Sequence, residues 1–298
     1  MENVYSFVVD KSGIRLDKYV AEKCPDLSRA RAQKLIGEGY IMVNDHVAKA
    51  ALKLDAGDRV KVVIPPPPPS PLSPEAIPLE ILYEDNDVLV IDKPAGLTTH
   101  PAPGHPSHTL LNAVLSHFPQ LAEISDSLRP GIVHRLDKDT SGVMLIAKNS
   151  VAQANLIDQF KARSVKKSYL VLVKGRLTPE RGAIEAPIGR DSHDRKRMAV
   201  VAKGREARTE YKVIKYIDSY TLLEVKPETG RTHQIRVHFA AIGYPVAGDA
   251  VYGVKSPYLS RQFIHAYRLG FKLPSIGKYV EFESELPTDL EKALKQIA

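Results

Sequence analysis

The chain has 298 residues, 43% hydrophobic and 26% charged, with a formal net charge of +7 and a single cysteine, Cys24. That length exceeds the usual size of one domain, no apolar run approaches the ~20 residues that cross a bilayer, and a lone cysteine excludes an intramolecular disulfide or a zinc site built on several thiolates. The opening "MENVYSFVVDK" has no basic region leading into an apolar core, so the expectation is a cytoplasmic protein of two domains whose positive charge favours a polyanionic partner.

Taken in chain order, "GIRLDKYVAEKCP" carries Ile14, Tyr19 and Val20 at loose helical spacing and closes on Pro25. "LSRARAQKLIGEG" predicts a second helix with Ser28 as N-cap, Ala32, Leu35 and Ile36 on one face, and a stop at Gly37 to Gly39. Short strands fit "YIMVND", the region near "HVAKAA", and "DRVKVVI". This order resembles the S4 RNA-binding domain, in which a helix pair presents basic side chains beside a small sheet. The resemblance implies that Arg29, Arg31 and Lys34 contact phosphates, which positions RNA without reading its sequence. Residues 1–64 hold eleven Lys plus Arg against nine Asp plus Glu, so such a patch has to come from arrangement rather than composition.

"IPPPPPSPLSPEAIP" marks the break after this module, because prolines lack the N–H that a helix interior or central strand needs. Residues 65–78 are expected to be a stiff spacer able to hold two bodies roughly 40 Å apart, or to lie along a surface. Residues 79–298 then read as the second domain. "LEILYEDNDVLVIDKP" fits two strands around the acidic turn Glu84 to Asp87, and "HTLLNAVLSHF" is apolar at helical spacing. "SVAQANLIDQFKAR" opens with the capping-box pair Ser150 and Gln153, and Thr288 with Glu291 opens a last helix. Strands fit "SYLVLVKG", "ARTEYKVIKYI", "YTLLEVKPE", "FIHAYRLGFKL" and "KYVEFES". Many strands with scattered helices predict an α+β fold with a mixed, largely antiparallel sheet, beside the small N-terminal α/β module.

"HRLDKDTSG", His134 to Gly142, lies between apolar strand-like runs and reads as a charged loop held at a sheet edge, a common location for reactive groups. A paired-carboxylate glycosidase using Asp137 and Asp139 is disfavoured, since that mechanism needs carboxyls about 5–9 Å apart on opposite sides of the scissile bond. One aspartate acting with an arginine is the better economy. His100, His105 and His108 catch the eye as metal ligands, but they sit in a Pro-Gly-rich loop without cysteines or an obvious carboxylate, so no metal is expected.

"HRLDKDTSG" resembles the motif that carries the catalytic aspartate in pseudouridine synthases of the RluA/RluD family. "DVLVIDKPAGLTTHP", "QFKARSVKKSYLVLVKG", "TGRTHQIRVHFAAIGYPVAGDAVYG" and "FIHAYRLGF" resemble further family motifs in family order, and the S4-like module ahead of them points to the RluD-like branch. The resemblance implies that uridine in RNA is isomerised to pseudouridine, the N1–C1′ bond breaking and a C5–C1′ bond forming, with no cofactor and no metal. It implies Asp137 as the essential carboxylate and Arg231, held just before a helix capped by Thr232, as the guanidinium that keeps it ionised. Tyr169 would stack on the target base, Arg135 would fill the space left by the flipped nucleotide or anchor a phosphate, His134 would sit beside the RNA, and Ile235 and Leu269 would be apolar walls of the uracil pocket. His108 stands where family members often carry glycine, and Leu273 precedes Pro274 where histidine is common. The implied substrate is ribosomal RNA of the large subunit, free or in pre-ribosomal particles, and a monomer is the default. A tRNA-modifying synthase and a non-catalytic S4-type ribosomal RNA-binding or assembly factor are the alternatives.

Overall fold

A computed structural model of the chain describes residues 3–24, 27, 29–65, 72–102, 105–123, 129–192, 194, 197–253 and 255–297. It divides into two compact units, Met1–Pro69 and Ser70–Ala298.

The first unit contains β1 (Asn3–Val8), α1 (Leu16–Lys23), α2 (Arg29–Gly37), β2 (Ile41–Val43), β3 (His46–Val47) and β4 (Arg59–Ile64), its strands ordered β1-β4-β2-β3 in one antiparallel sheet. Leu16, Tyr19 and Val20 from α1 and Ala32, Leu35 and Ile36 from α2 bury their apolar faces with Ile41, Val60 and Val62. The two helices are joined by a polar knot. Buried Asp17 accepts hydrogen bonds from Arg15 Nε and Nη2, from Arg29 Nε, and at 2.6 Å from Gln33 Nε2. The Arg15 hydrogen bond, aided by Gln33 and Arg29, outweighs burial and holds the Asp17 carboxyl below its ordinary range. β1 is the element the sequence patterns had not suggested. The expected N-cap Ser28 and the Arg31 side chain lie outside the described residues.

The second unit holds β5 (Glu80–Glu84), β6 (Val88–Lys93), α3 (Leu110–His117), β7 (Ser141–Ala147), α4 (Ser150–Lys161), β8 (Lys166–Lys174), β9 (Arg181–Glu185), β10 (Ile188–Arg190), β11 (Met198–Val200), β12 (Arg208–Ile217), β13 (Tyr220–Pro227), α5 (Gln234–Ala241), β14 (Ile264–Lys272), β15 (Tyr279–Glu283) and α6 (Thr288–Ile297). Its main sheet runs β5-β6-β7-β14-β8-β13-β12-β9 with β15 also on β14, and among the described strands only β7 and β14 pair in parallel. This is the mixed, largely antiparallel sheet that the strand-rich sequence predicts. β10 and β11 form a separate hairpin.

Central strands are apolar on both faces because both faces are covered. Leu89, Ile91, Met144 and Ile146 pack against α3, while Val88, Val90, Val143 and Leu145 pack against Ala152 and Leu156 of α4. α5 lies over β8 and β13 through Ile235 and Phe239, and Leu290 and Ile297 of α6 join Leu172 and Phe263. The cap of α4 is Asn149, one residue before the expected Ser150; its side chain accepts the Ala152 N–H at 2.8 Å. Residues 72–78, expected to belong to the spacer, instead join this unit: Leu72 is buried beside α3, Ile77 packs on the same cluster beside Leu79, and Asn112 donates to the Ser73 carbonyl.

The loop of interest is delivered by a backbone constraint at the start of β7. Gly142, at φ +117°, faces Ala266 of β14, and a Cβ there would sit 2.2 Å from the Ala266 carbonyl oxygen. Only glycine allows the parallel pair to close directly behind the charged loop. Gly142→Ala is expected to lower stability by roughly 2–4 kcal/mol through strain and overpacking, read as a lower urea midpoint. An unchanged midpoint would show that the two strands do not depend on this contact.

Candidate active site

The loop between Gly131 and Gly142 is fixed by its own carbonyl groups. Thr99 Oγ1 donates to the Leu136 carbonyl at 2.9 Å, Lys93 Nζ to that of Lys138 at 3.1 Å, and Arg261 Nη1 to that of Asp139 at 3.0 Å. The Gly96 N–H also reaches the Lys138 carbonyl, and the Thr140 N–H closes a turn on the Asp137 carbonyl. Asp137 is therefore held by atoms on both sides of it. Lys93 is fully buried, and burial brings its ammonium down to about 7 against the opposing charges of Asp139 and Asp137.

Asp137 opens into a cleft of about 400 Å³ lined also by His134, Arg135, Tyr169, Arg231, His233, Ile235 and Arg236. Most of the residues singled out in the sequence thus meet in one cavity. Leu269 does not. Strand alternation sends Ala266 to the α3 side of β14 and Leu269 with Phe271 to the α4 side, where Leu269 is buried against Val143 and Leu145; the apolar cleft residue from β14 is Ile264.

The arginine assignment also needs correcting. Arg236 Nη1 donates to Asp137 Oδ2 at 3.1 Å, while Arg231 donates through Nε to the Glu206 carbonyl at 2.9 Å. Arg231 lies in the segment before α5, turned along the cleft wall toward Arg205 and Arg163, and burial with those like charges lowers its pKa. Arg236 is inside α5, on the side that faces the loop. Its other edge forms a bidentate pair with buried Asp249, Nε to Oδ2 at 2.7 Å and Nη2 to Oδ1 at 2.9 Å. Asp249 Oδ1 in turn accepts the N–H groups of Val251 and Tyr252. Burial opposes the charge on both partners, but their hydrogen bonds and mutual attraction prevail, so Asp249 is shifted down and Arg236 up.

Thr232 is not the helix cap either. The residue at that position is His233, in the left-handed conformation at φ 56° and ψ 21°, with no side-chain cap. The turn is organised by buried Gln234, whose Oε1 accepts from Thr229 Oγ1 and the Arg231 N–H and whose Nε2 donates to the Arg208 carbonyl and Thr209 Oγ1. His233 Nε2 stands 4.0 Å from Asp137 Oδ1, the oxygen that Arg236 leaves open. A charged residue within the apolar helix "HQIRVHFAAIG" was the available signal for Arg236, since a buried guanidinium demands a carboxylate; Asp249 in "GDAVYG" was that partner.

The remaining walls set the character of the cleft. Tyr169 is flanked by both neighbouring apolar clusters, and burial followed by the Asp137 charge raises its phenol, which stays protonated. His134 stacks on Phe160 at 5.0 Å between centroids, and its Nε2 accepts the Leu145 N–H at 2.9 Å. It is a structural neighbour of the cleft, kept neutral by burial and to a lesser degree by Lys167, with a pKa of about 3. Arg135 is exposed at the mouth. Lys167, brought down to about 8 chiefly by burial, joins Arg163 and Arg231 on the cationic side. His100 is buried, whereas His108 pairs with Glu75 at 3.2 Å and takes φ 55°, a backbone state that explains why glycine suits this position. In the N-terminal unit, Arg29 is half-exposed with its guanidinium on Asp17, and exposed Lys34 lies 3.7 Å from Glu38; neither is a free cation.

Residues 87–241 match the RNA pseudouridylate synthase family, and residues 14–60 match the S4 domain. An uncharacterized RNA pseudouridine synthase of Aquifex aeolicus is 48% identical over 96% of this chain and 95% of its own length. Ribosomal large subunit pseudouridine synthase D of Nitrosomonas europaea is 44% identical over 96% of this chain and 85% of its own. Among solved structures, human RNA pseudouridylate synthase domain containing 1 aligns with a TM-score of 0.60 at 29% identity, covering 74% of this chain and 89% of that one. The chain belongs to the RluA family of RNA pseudouridine synthases and carries an S4 domain at its N-terminal side.

Two measurements probe the charge arrangement. Arg236→Ala strands buried Asp249 and is expected to cost about 3–5 kcal/mol, whereas Arg231→Ala leaves both carboxylates paired and should unfold near wild type while binding RNA more weakly. Equal urea midpoints for the two variants would contradict this division. His134 offers a second test: unfolded it takes a proton near pH 6.5, folded only near pH 3, so the unfolded chain binds more protons in between and acid destabilises the fold. Denaturation from pH 6.5 downward should show His134→Asn losing less stability than wild type, by roughly 1 kcal/mol per pH unit. Parallel slopes would remove His134 from the buried neutral set.

Proposed function

We propose that Asp137 is the catalytic carboxylate of this synthase, that Tyr169 stacks on the extruded uracil, and that the substrate is large-subunit ribosomal RNA. The observation that carries the reading is the anchoring of Asp137 Oδ2 by Arg236 at 3.1 Å inside a cleft it shares with Tyr169, Ile235 and Arg135. A fixed carboxylate with one oxygen left open beside an aromatic wall suits an isomerisation, in which the glycosidic N1–C1′ bond is exchanged for C5–C1′ and the C5 proton is lost while N1 regains one. Aromatic stacking of about 1–3 kcal/mol per base offsets part of the cost of unstacking the uridine. Arg135 at the exposed mouth suits either the space vacated by the flipped nucleotide or a neighbouring phosphate. The ribosomal substrate is supported by relatives named ribosomal large subunit pseudouridine synthase D from Nitrosomonas europaea and Zymomonas mobilis, at 44% and 41% identity.

Pseudouridine mapping of ribosomal and transfer RNA, from cells with and without the gene, tests the substrate. Sites lost only from large-subunit RNA are expected, and sites lost only from transfer RNA would overturn the assignment. With purified protein, Asp137→Asn should fold and bind RNA yet form no pseudouridine; an active variant would remove Asp137 from the chemistry.

A further inference from the structure

Tyr252 follows Asp249 in "GDAVYG", and none of the roles above uses its hydroxyl. That oxygen accepts the Met198 N–H at 2.8 Å, from the β10–β11 hairpin, and lies 2.8 Å from His233 Nδ1. Its ring carries the guanidinium of Arg236 at 5.0 Å and that of Arg197 at 5.2 Å, and it meets the His233 ring edge-on. One phenol therefore touches the arginine that binds Asp137, the histidine that faces the same carboxylate, and the hairpin.

His233 is kept neutral mainly by burial, so only one ring nitrogen carries hydrogen. Burial likewise keeps the Tyr252 phenol protonated. Its oxygen already accepts from Met198, and the only acceptor within reach of its single O–H among the described contacts is His233 Nδ1. The imidazole proton then sits on Nε2, 4.0 Å from Asp137 Oδ1. His233 has a left-handed backbone, uncommon for a residue with a Cβ, and its ring nitrogens lie near both groups, Nδ1 by Tyr252 and Nε2 by Asp137.

We propose that Tyr252 is a positioning residue: its hydroxyl locks His233 as the neutral Nε2–H tautomer, which orients Oδ1 of Asp137 toward the uridine without capturing it in an ion pair. Arg236 holds one carboxylate oxygen, and the His233 N–H dipole steers the other while leaving its lone pairs for the substrate. This rests on Asp137 being the catalytic carboxylate.

The test combines nitrogen-15 NMR of the imidazoles in the full chain with kinetics on an RNA in which the wild type forms pseudouridine. In the wild type, His233 should show a bare Nδ1 and a protonated Nε2, and Tyr252→Phe should lose that fixed tautomer. Its kcat should fall about tenfold with little change in KM, the size typical of losing a group that orients a site residue. If Tyr252 acts through His233, adding Tyr252→Phe to His233→Gln should slow the enzyme by no more than about twofold further. A proton on Nδ1 in the wild type, an unchanged kcat in Tyr252→Phe, or fully additive losses would each overturn the proposal, and the first needs no variant to fold. Asp137→Asn run alongside separates the two readings: if it is active, the carboxylate assignment fails, whereas an inactive Asp137→Asn with an unaffected Tyr252→Phe sinks the tyrosine alone.

Discussion

The interaction on which the site depends is the guanidinium of Arg236 shared between two carboxylates. Asp249 takes the bidentate edge and is almost fully buried, so it fixes the plane and direction of the arginine; Asp137 receives what is left, a single Nη1 hydrogen bond to Oδ2. A buried ion pair contributes little net stability once desolvation is counted. What it supplies here is placement. The stronger carboxylate partner anchors the arginine to the fold, and the weaker partner is thereby held at a defined point while keeping one oxygen open. The backbone N–H groups of Val251 and Tyr252 complete the Asp249 end, so the arginine is tied to a loop of the fold and not to a second flexible side chain.

The opposite half of the site is rigid for a different reason. The charged loop carries polar carbonyls that no strand partner satisfies, and each of three near Asp137 is met by a donor from elsewhere in the chain, Thr99, Lys93 or Arg261. Arg261 is itself held by Asp289 at the start of α6, which ties the last helix to the loop. Lys93 donates to two carbonyls, those of Pro94 and Lys138, and burial brings its pKa down to about 7. Lys93 and Arg261 are therefore brackets for backbone.

This explains what was legible in the sequence. Asp137, Tyr169 and Ile235 could be placed in the cleft because each sits in a motif that resembles the family's, in family order; strand and helix patterning alone would have left Tyr169 and Ile235 as ordinary core residues. Arg231 and Arg236 are five residues apart in one basic motif, and which of them meets Asp137 depends on the entry angle of α5, set by a left-handed His233 and by buried Gln234. Neither leaves a periodic trace, and Thr232 looked the better cap because hydroxyl residues usually are. Leu269 failed through strand phase: alternation along β14 puts it on the side opposite Ala266, against Val143 and Leu145. β9, β10 and β11 were invisible because strands of three to five residues with charged or small side chains carry too little alternation to register. In the N-terminal unit, basic residues read as phosphate contacts turned out to be partly consumed at home, Arg29 by Asp17, because a count of charges does not reveal their partners.

The electrostatics of the cleft follow from the same geometry. Burial keeps the phenol of Tyr169 and the imidazoles of His134 and His233 uncharged, although for opposite reasons of sign: it penalises the phenolate and the imidazolium alike. Glu228, which also lines the cleft, is bound to Arg208, itself surrounded by Glu185 and Glu210. The anion left facing the cavity with an open oxygen is Asp137, set among neutral walls with Arg135, Arg163, Lys167 and Arg231 around it. Such an arrangement attracts a phosphodiester to the rim while keeping the interior fit for an uncharged pyrimidine. A second cation on Asp137 Oδ1 would close the oxygen that Arg236 leaves open, which is why the neutrality of His233 matters as much as the charge of Arg236.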